Sequence, residues 1–230
     1  MTDDALPREV ESALRETFSA ILDAGRGGAR NVRERLRTAV NSLLDRVANT
    51  IVNDPLDVPT AEAAQQRIDV YAMNVGNAAT IIGAPWFVNR VIRLAKRGTA
   101  VPSTAAITAT AATFTALVTG VQHLRVLGSF LVHRLVEEGH RIDPAFVRRV
   151  TVALYLNPNA GADAARPNKT APIRLTTEWA SHAVPFLRAR KTMVRVHLAA
   201  EAIDRLDLDQ AMAYFEREHA IDLRAATRSG

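Results

Sequence analysis

Three polar residues in the second half of the chain have the spacing of a metal site. His133, Glu137 and His140 lie four and three residues apart, so a continuous helix would place them on one face. Two imidazoles and a carboxylate are ligands that zinc or iron accepts. Gly139 opposes this interpretation, because a glycine that ends the helix would move His140 off the shared face. We therefore predict an ordinary His133–Glu137 pair and no metal site.

Other catalytic combinations are also incomplete. Glu178 and His182 have helical i,i+4 spacing but lack the second histidine of the HExxH motif, so we interpret them as a surface ion pair. His123 and His197 lie in largely apolar predicted helices, which favours core histidines over catalytic bases. The glycine-rich run 25–28 follows a predicted helix, whereas phosphate-binding loops follow strands. We expect neither an enzyme nor a cofactor.

A basic segment after Pro85 is the strongest candidate for a binding surface. It begins with two aromatic residues and continues with four cations: Trp86, Phe87, Arg90, Arg93, Lys96 and Arg97. On a helix the three arginines share one side and apolar side chains lie opposite. Aromatic residues at headgroup depth and cations near anionic lipid are typical of an interfacial helix. An amphipathic helix with a solvated basic face is the alternative.

Two uncharged stretches, residues 70–89 and 98–124, flank this basic segment. The second is long enough to span a bilayer, but Ala and Thr dominate it, and its insertion free energy sums to nearly zero. The same small residues suit close packing between helices. We favour a helix buried in the protein over a transmembrane span, and the sequence leaves contact with lipid open.

The overall charge points to a polyanionic partner without identifying it. The net charge is +5, and 26 of the 29 basic residues are Arg. Such a skew, together with many alanines, also arises from a GC-rich genome without selection for phosphate binding. Further basic clusters lie within residues 26–37 and 188–195, but aromatic residues for base stacking are sparse. Nucleic acid is therefore the alternative partner and not the expected one.

The cysteine count and the N-terminus bear on location. The chain has no cysteine, which excludes a disulfide framework, thiolate metal ligands and a cysteine nucleophile. The first residues are charged and do not form the basic and apolar regions of a signal peptide. We expect a cytoplasmic protein, peripheral at the inner face of the membrane.

The apolar spacing is helical nearly everywhere and predicts an all-α fold, a mainly antiparallel multi-helix bundle around an Ala/Thr-rich central helix. We expect an amphipathic N-terminal region at 1–56, a helical core domain at 57–223 and a flexible tail at 224–230. Residues 103–138 would form one very long helix, so we predict a break or a bend near Gly120 or Gly128. Gly139, Asp143 and Pro144 predict a helix end followed by a new start. Residues 157–172 are predicted to be a loop.

Part of the chain resembles a known family. A charge-free stretch of small residues around 99–120 is followed by a helix, by Gly139-His140-Arg141-Ile142-Asp143-Pro144 and by further apolar residues. Over about residues 78–156 this arrangement is similar to the EcsC family, although Ala and Thr replace the expected glycines. That family is named for an association with an ABC transporter. The resemblance implies a helical, membrane-associated accessory protein.

We therefore expect a non-enzymatic protein that contacts membrane or lipid and is linked to a transporter. The expected partner is an anionic membrane surface or lipid. A protein partner or a second copy could also dock on the N-terminal helices. The alternatives are a basic helical protein that binds nucleic acid and a purely structural interaction module.

Overall fold

The computed structural model describes residues 6–24, 29–71, 104–182 and 189–228. Within these ranges the fold is all-α and contains no strand, as the sequence predicts. The α-helices are α1 (Arg8–Ala24), α2 (Ala29–Asn53), α3 (residues 61–71), α4 (Thr104–Glu137), α5 (Pro144–Leu156), α6 (Ala171–His182), α7 (Ala189–Asp204) and α8 (Leu208–Arg228). A 3-10 helix, η1 (Pro158–Ala165), follows α5.

Several helix boundaries lie where local chemistry predicts them. Gly139 has a φ of 75°, the left-handed conformation that closes α4. The Asp143 carboxylate then accepts hydrogen bonds from the backbone N–H groups of Ala145 and Phe146, at 2.7 and 3.4 Å, and so caps α5. Thr60 accepts from the N–H of Ala63 at the start of α3 in the same way.

Other boundaries differ from the predictions. Helix α4 runs unbroken for 34 residues through Gly120 and Gly128, so the predicted break is wrong. The predicted loop 157–172 contains η1, and α6 already begins at Ala171. Asn157 explains part of this difference, because its side chain caps η1 by accepting from the N–H of Asn159. Helix α8 continues to Arg228, within the predicted tail.

Helix α4 lies at the centre and packs against α1, α2, α5, α6 and α7. Residues Ala112–Glu137 are long and apolar enough to cross a membrane by length and composition, but 89% of their most apolar window is buried inside the protein. This burial supports the interpretation that the described part of the uncharged stretch 98–124 is a central core helix. Buried residues of α1 and α2 belong to the same hydrophobic cluster as those of the later helices. The division at residue 56 stays a prediction.

The polar side chains of α4 satisfy backbone groups of neighbouring segments. The Ser129 hydroxyl accepts from the N–H of Leu56 at 3.0 Å, and Nε2 of His133 lies 2.9 Å from the carbonyl oxygen of the same residue. Arg134 donates to the carbonyls of Ile203 and Asp204 at the end of α7. Unpaired backbone groups are costly to bury, so these polar residues allow two chain segments to pack on an apolar helix.

Both glycines of α4 are contact points for large side chains. A Cβ placed on Gly120 would lie 1.9 Å from Nε1 and 2.4 Å from Cδ1 of Trp179. A Cβ on Gly128 would lie 2.6 Å from Cδ1 of Ile51. These glycines therefore serve close packing and do not interrupt the helix.

We predict that Gly120→Ala lowers the free energy of unfolding by about 2 kcal/mol, because the rigid indole of Trp179 cannot move aside without displacing α6. Gly128→Ala is the matched control, since the end of the flexible Ile51 side chain can change rotamer. Alanine also gains up to about 1 kcal/mol of helix propensity over glycine, so this control should lie within about 1 kcal/mol of wild type. Urea unfolding followed by circular dichroism measures both values. Equal stability of the two variants would contradict the predicted difference.

Tyr155 of α5 has a phenol enclosed in the same region of the core. It is 1% exposed, and its ring centroid lies 6.4 Å from that of His123 on α4. Burial raises the pKa of the Tyr155 phenol above its ordinary value of 10, against the opposing effect of the Trp179 N–H. The folded protein therefore resists ionisation of this group.

The raised pKa of the Tyr155 phenol predicts that the folded protein loses stability at alkaline pH. Above pH 10 the unfolded chain releases the Tyr155 proton while the folded chain retains it, so the free energy of unfolding falls, by at most about 1.4 kcal/mol per pH unit from this group. Tyr155→Phe should remove this contribution. The stability difference between variant and wild type should be constant below pH 9 and should shift in favour of the variant between about pH 10 and 11. A constant difference throughout, measured by urea unfolding, would rule out the buried neutral phenol.

Candidate anion-binding cleft

The predicted lipid-contact residues Trp86, Phe87, Arg90, Arg93, Lys96 and Arg97 lie outside the described residues. The interfacial helix therefore stays a prediction.

The three-residue metal spacing does not produce a ligand group in the described residues. The His133 ring is directed at the carbonyl of Leu56. His140 follows Gly139 and lies 3.8 Å from a carboxylate oxygen of Glu138 and 3.7 Å from one of Asp209. Gly139 ends the helix before His140, as the sequence predicts. The predicted His133–Glu137 pair is wrong, because His133 contacts the backbone of Leu56 instead.

The remaining candidate residues lie in the core or in contacts between helices. His123 is buried, as predicted, whereas the prediction of a core position for His197 is wrong. Its Nε2 lies 3.0 Å from the Asp69 carboxylate at a partly exposed contact between α7 and α3. Glu178 forms an ion pair with Arg195, which links α6 to α7.

A cleft of about 360 Å³ lies between α2, α5, the segment after η1 and the start of α6. The described residues that line it include five cations and no carboxylate. They are Arg37, Asn41 and Leu44 of α2, Ala145, Arg148, Arg149, Val152 and Ala153 of α5, residues 166–169, and Ala171 and Pro172 of α6.

Arg148 connects the two long walls of the cleft. Its guanidinium donates to the side-chain oxygen of Asn41 at 2.5 Å and to the carboxylate of Asp45, both on α2. A planar guanidinium is suited to such a two-pronged contact. Because Asp45 balances its charge, Arg148 holds α5 against α2 and serves a structural role in the wall of the cleft.

Aromatic residues of α8 support two further arginines. The guanidinium carbon of Arg149 lies 4.8 Å from the ring centroid of Phe215, and its Nη1 donates to the carbonyl of Ala165 at 3.1 Å. Arg166 lies 4.8 Å from the ring centroid of Tyr214. Stacking fixes the plane of a guanidinium but leaves edge N–H groups directed outward. These arginines are thus positioned before any ligand binds.

Acidic neighbours offset part of the charge. Glu34 lies 2.6 Å from Arg37, and Asp163 lies 3.0 Å from Nε of Arg166. Both pairs are largely exposed, so solvent screens them and they contribute little to holding these arginines in place. An incoming anion can compete for both arginines. The arrangement is suited to binding a small, multiply charged anion.

Sequence reasoning missed this cleft. Arg37 belongs to a predicted basic cluster, but the other four cations are one adjacent pair in a helix and two isolated residues in a predicted loop. Arg148 and Asn41 are 107 residues apart in the chain. Only the tertiary contact between α2 and α5 brings them together.

Comparison with protein-family models, with curated proteins and with solved structures finds no match to this chain. The resemblance to the EcsC family over residues 78–156 stays a prediction.

Proposed function

We propose that this protein is a non-enzymatic accessory protein that binds anionic groups at a membrane surface. One observation carries the proposal: among the described residues, five cations and no carboxylate line the cleft between α2, α5 and α6. Cations near an anionic surface each contribute on the order of 1 kcal/mol, and the attraction is screened by salt. The predicted basic segment 86–97 would add an apolar anchor to this electrostatic contact.

The chemistry of the cleft favours a lipid headgroup over nucleic acid. A strand of nucleic acid is bound along an extended basic groove with aromatic side chains on which bases stack. The cleft is a single concave volume, and its described lining contains no aromatic side chain. The apolar residues Leu44, Val152 and Ala153 share the lining with the cations. A headgroup with polar and apolar parts matches this mixture better than a strand does.

The proposal extends to place and partners. We propose a position at the cytoplasmic face of the membrane, beside a transporter, as the family resemblance implies. A protein partner or a second copy on the N-terminal helices would meet the exposed polar faces of α1 and α2, because their residues Val10, Leu14, Phe18, Val40 and Leu43 are buried in the core.

The first functional prediction concerns the apolar anchor. Wild-type protein should co-sediment with vesicles that contain phosphatidylserine, bind neutral phosphatidylcholine vesicles more weakly, and be released by high salt. The double variant Trp86→Ala, Phe87→Ala keeps every charge but removes the predicted anchor, so it should lose most of this binding. Absence of vesicle binding by the wild type would refute the proposed function.

A matched control separates this result from nucleic-acid binding. Both kinds of binding depend on salt, so salt alone does not distinguish them. Single-stranded oligonucleotide binding by the same double variant is measured by fluorescence anisotropy. Loss of vesicle binding with unchanged oligonucleotide binding supports the membrane role. Unchanged vesicle binding would show that Trp86 and Phe87 are not the anchor.

A further inference from the structure

One end of the cleft has a cation that pairs with no carboxylate of the described residues. Lys169 is exposed and differs in this from Arg37, Arg148 and Arg166. An ammonium group at the edge of a concave surface, with no partner among the described side chains, is available to an external anion.

The turn that carries Lys169 is held by its neighbours. The side-chain oxygen of Asn168 accepts from the N–H and from the hydroxyl of Thr170, at 3.0 and 2.8 Å. The Asn168 carbonyl accepts from the N–H of Ala171 at 3.1 Å. Three hydrogen bonds on one residue fix this turn and set the backbone position from which the Lys169 side chain extends.

The same turn leads into the positive end of α6. Ala171 and Pro172 line the cleft, and the first turn of this helix contains no acidic residue. By contrast, Asp143 already caps the start of α5 on the neighbouring wall. The N–H groups of Thr170 and Ala171 already bond Asn168, and Pro172 has none. The start of α6 therefore adds its partial positive charge to that of Lys169, and not a row of free donors.

Arg149 supplies a second fixed cation within this volume. Its guanidinium is held between Phe215 and the carbonyl of Ala165, so its orientation is set by the core and not by solvent. Leu44 and Val152 add apolar surface beside it. A ligand that satisfies all of these groups has a compact anionic end with several acceptor oxygens and an uncharged body.

We propose that the cleft is a binding site for a phosphate monoester, with the phosphate between Lys169, Arg149 and the start of α6. This inference rests on the proposed binding of anions in the cleft but does not require a membrane. A monoester carries nearly two negative charges at neutral pH and presents three acceptor oxygens, whereas a diester or a carboxylate carries one charge. Lys169 and Arg149 supply two positive charges at the proposed position, which match the two negative charges of a monoester better than the single charge of a diester or a carboxylate.

The test uses methyl phosphate as the probe, with dimethyl phosphate and acetate as singly charged comparisons. Two-dimensional NMR titration of the full chain should shift the amide signals of residues 168–171 and 173 with methyl phosphate, and the affinity should exceed that for either comparison by at least about tenfold. Equal affinity for all three anions would overturn the inference, as would shifts that do not include these residues.

Lys169→Gln is the decisive variant, since it removes one charge from an exposed side chain. Its affinity for methyl phosphate should fall by about tenfold, because a hydrogen bond to a charged group is lost. Arg174→Gln is the matched control: it removes one charge from an exposed residue of α6 that does not line the cleft, and should change the affinity by less than about twofold. Both variants should keep the wild-type circular dichroism spectrum. Equal effects of the two substitutions would mean that methyl phosphate responds only to the overall positive charge of the protein, and would overturn the proposal.

A second arm distinguishes a lipid headgroup from a free phosphorylated molecule. Vesicles containing phosphatidic acid present a monoester, whereas phosphatidylserine presents a diester and a carboxylate. Stronger binding to phosphatidic acid at equal surface charge, competed by methyl phosphate and weakened by Lys169→Gln, supports both the site and the membrane role. Binding of methyl phosphate without vesicle binding keeps the site but refutes the membrane role. Vesicle binding that is indifferent to methyl phosphate and to Lys169→Gln keeps the membrane role and overturns the site.

Discussion

The fold depends on how closely α6 approaches α4. The Trp179 indole occupies the space that a side chain at position 120 would fill, because Gly120 has no Cβ. This contact buries the largest side chain of the core against the backbone of the central helix. A long helix that contains a glycine normally loses stability relative to alanine, so the packing of Trp179 must offset that loss. The neighbouring Tyr155 and His123 are enclosed in the same region, where few positions tolerate a change of volume.

Helix α4 combines the composition of a membrane span with polar side chains that serve a packed protein. Ser129 and His133 both bind the backbone of Leu56, and Arg134 closes the end of α7. In a lipid environment these polar groups would need other partners. Within the described residues they meet chain segments that cross the helix, which explains how a stretch that is apolar in composition is buried by protein.

The sequence predicts the helical class and the best-punctuated boundaries, because both depend on local chemistry. Asp143 and Pro144 start α5 as predicted, since a cap and a preset φ act over only a few residues. The unbroken α4 was not predictable in this way. Whether a glycine interrupts a helix or admits a neighbouring side chain depends on α6, about 60 residues further along the chain. The cleft could not be predicted from local chemistry either, because its walls come from three segments that are distant in the chain.

The core and the cleft share α6. Trp179 fixes the helix against α4, and Ala171 at its first turn lines the cleft about 12 Å away along the helix axis. A helix is stiff over this distance, so the contact with Gly120 also sets where the positive end of α6 lies relative to Lys169 and Arg149. Helix α8 acts similarly, because Phe215 packs edge-to-face on Phe146 in the core and also supports Arg149. The positions of the cleft's charges are therefore consequences of core packing. An anion would meet an Arg149 whose orientation is already set by Phe215 and Ala165, whereas the exposed Lys169 side chain would still have to be ordered when it binds.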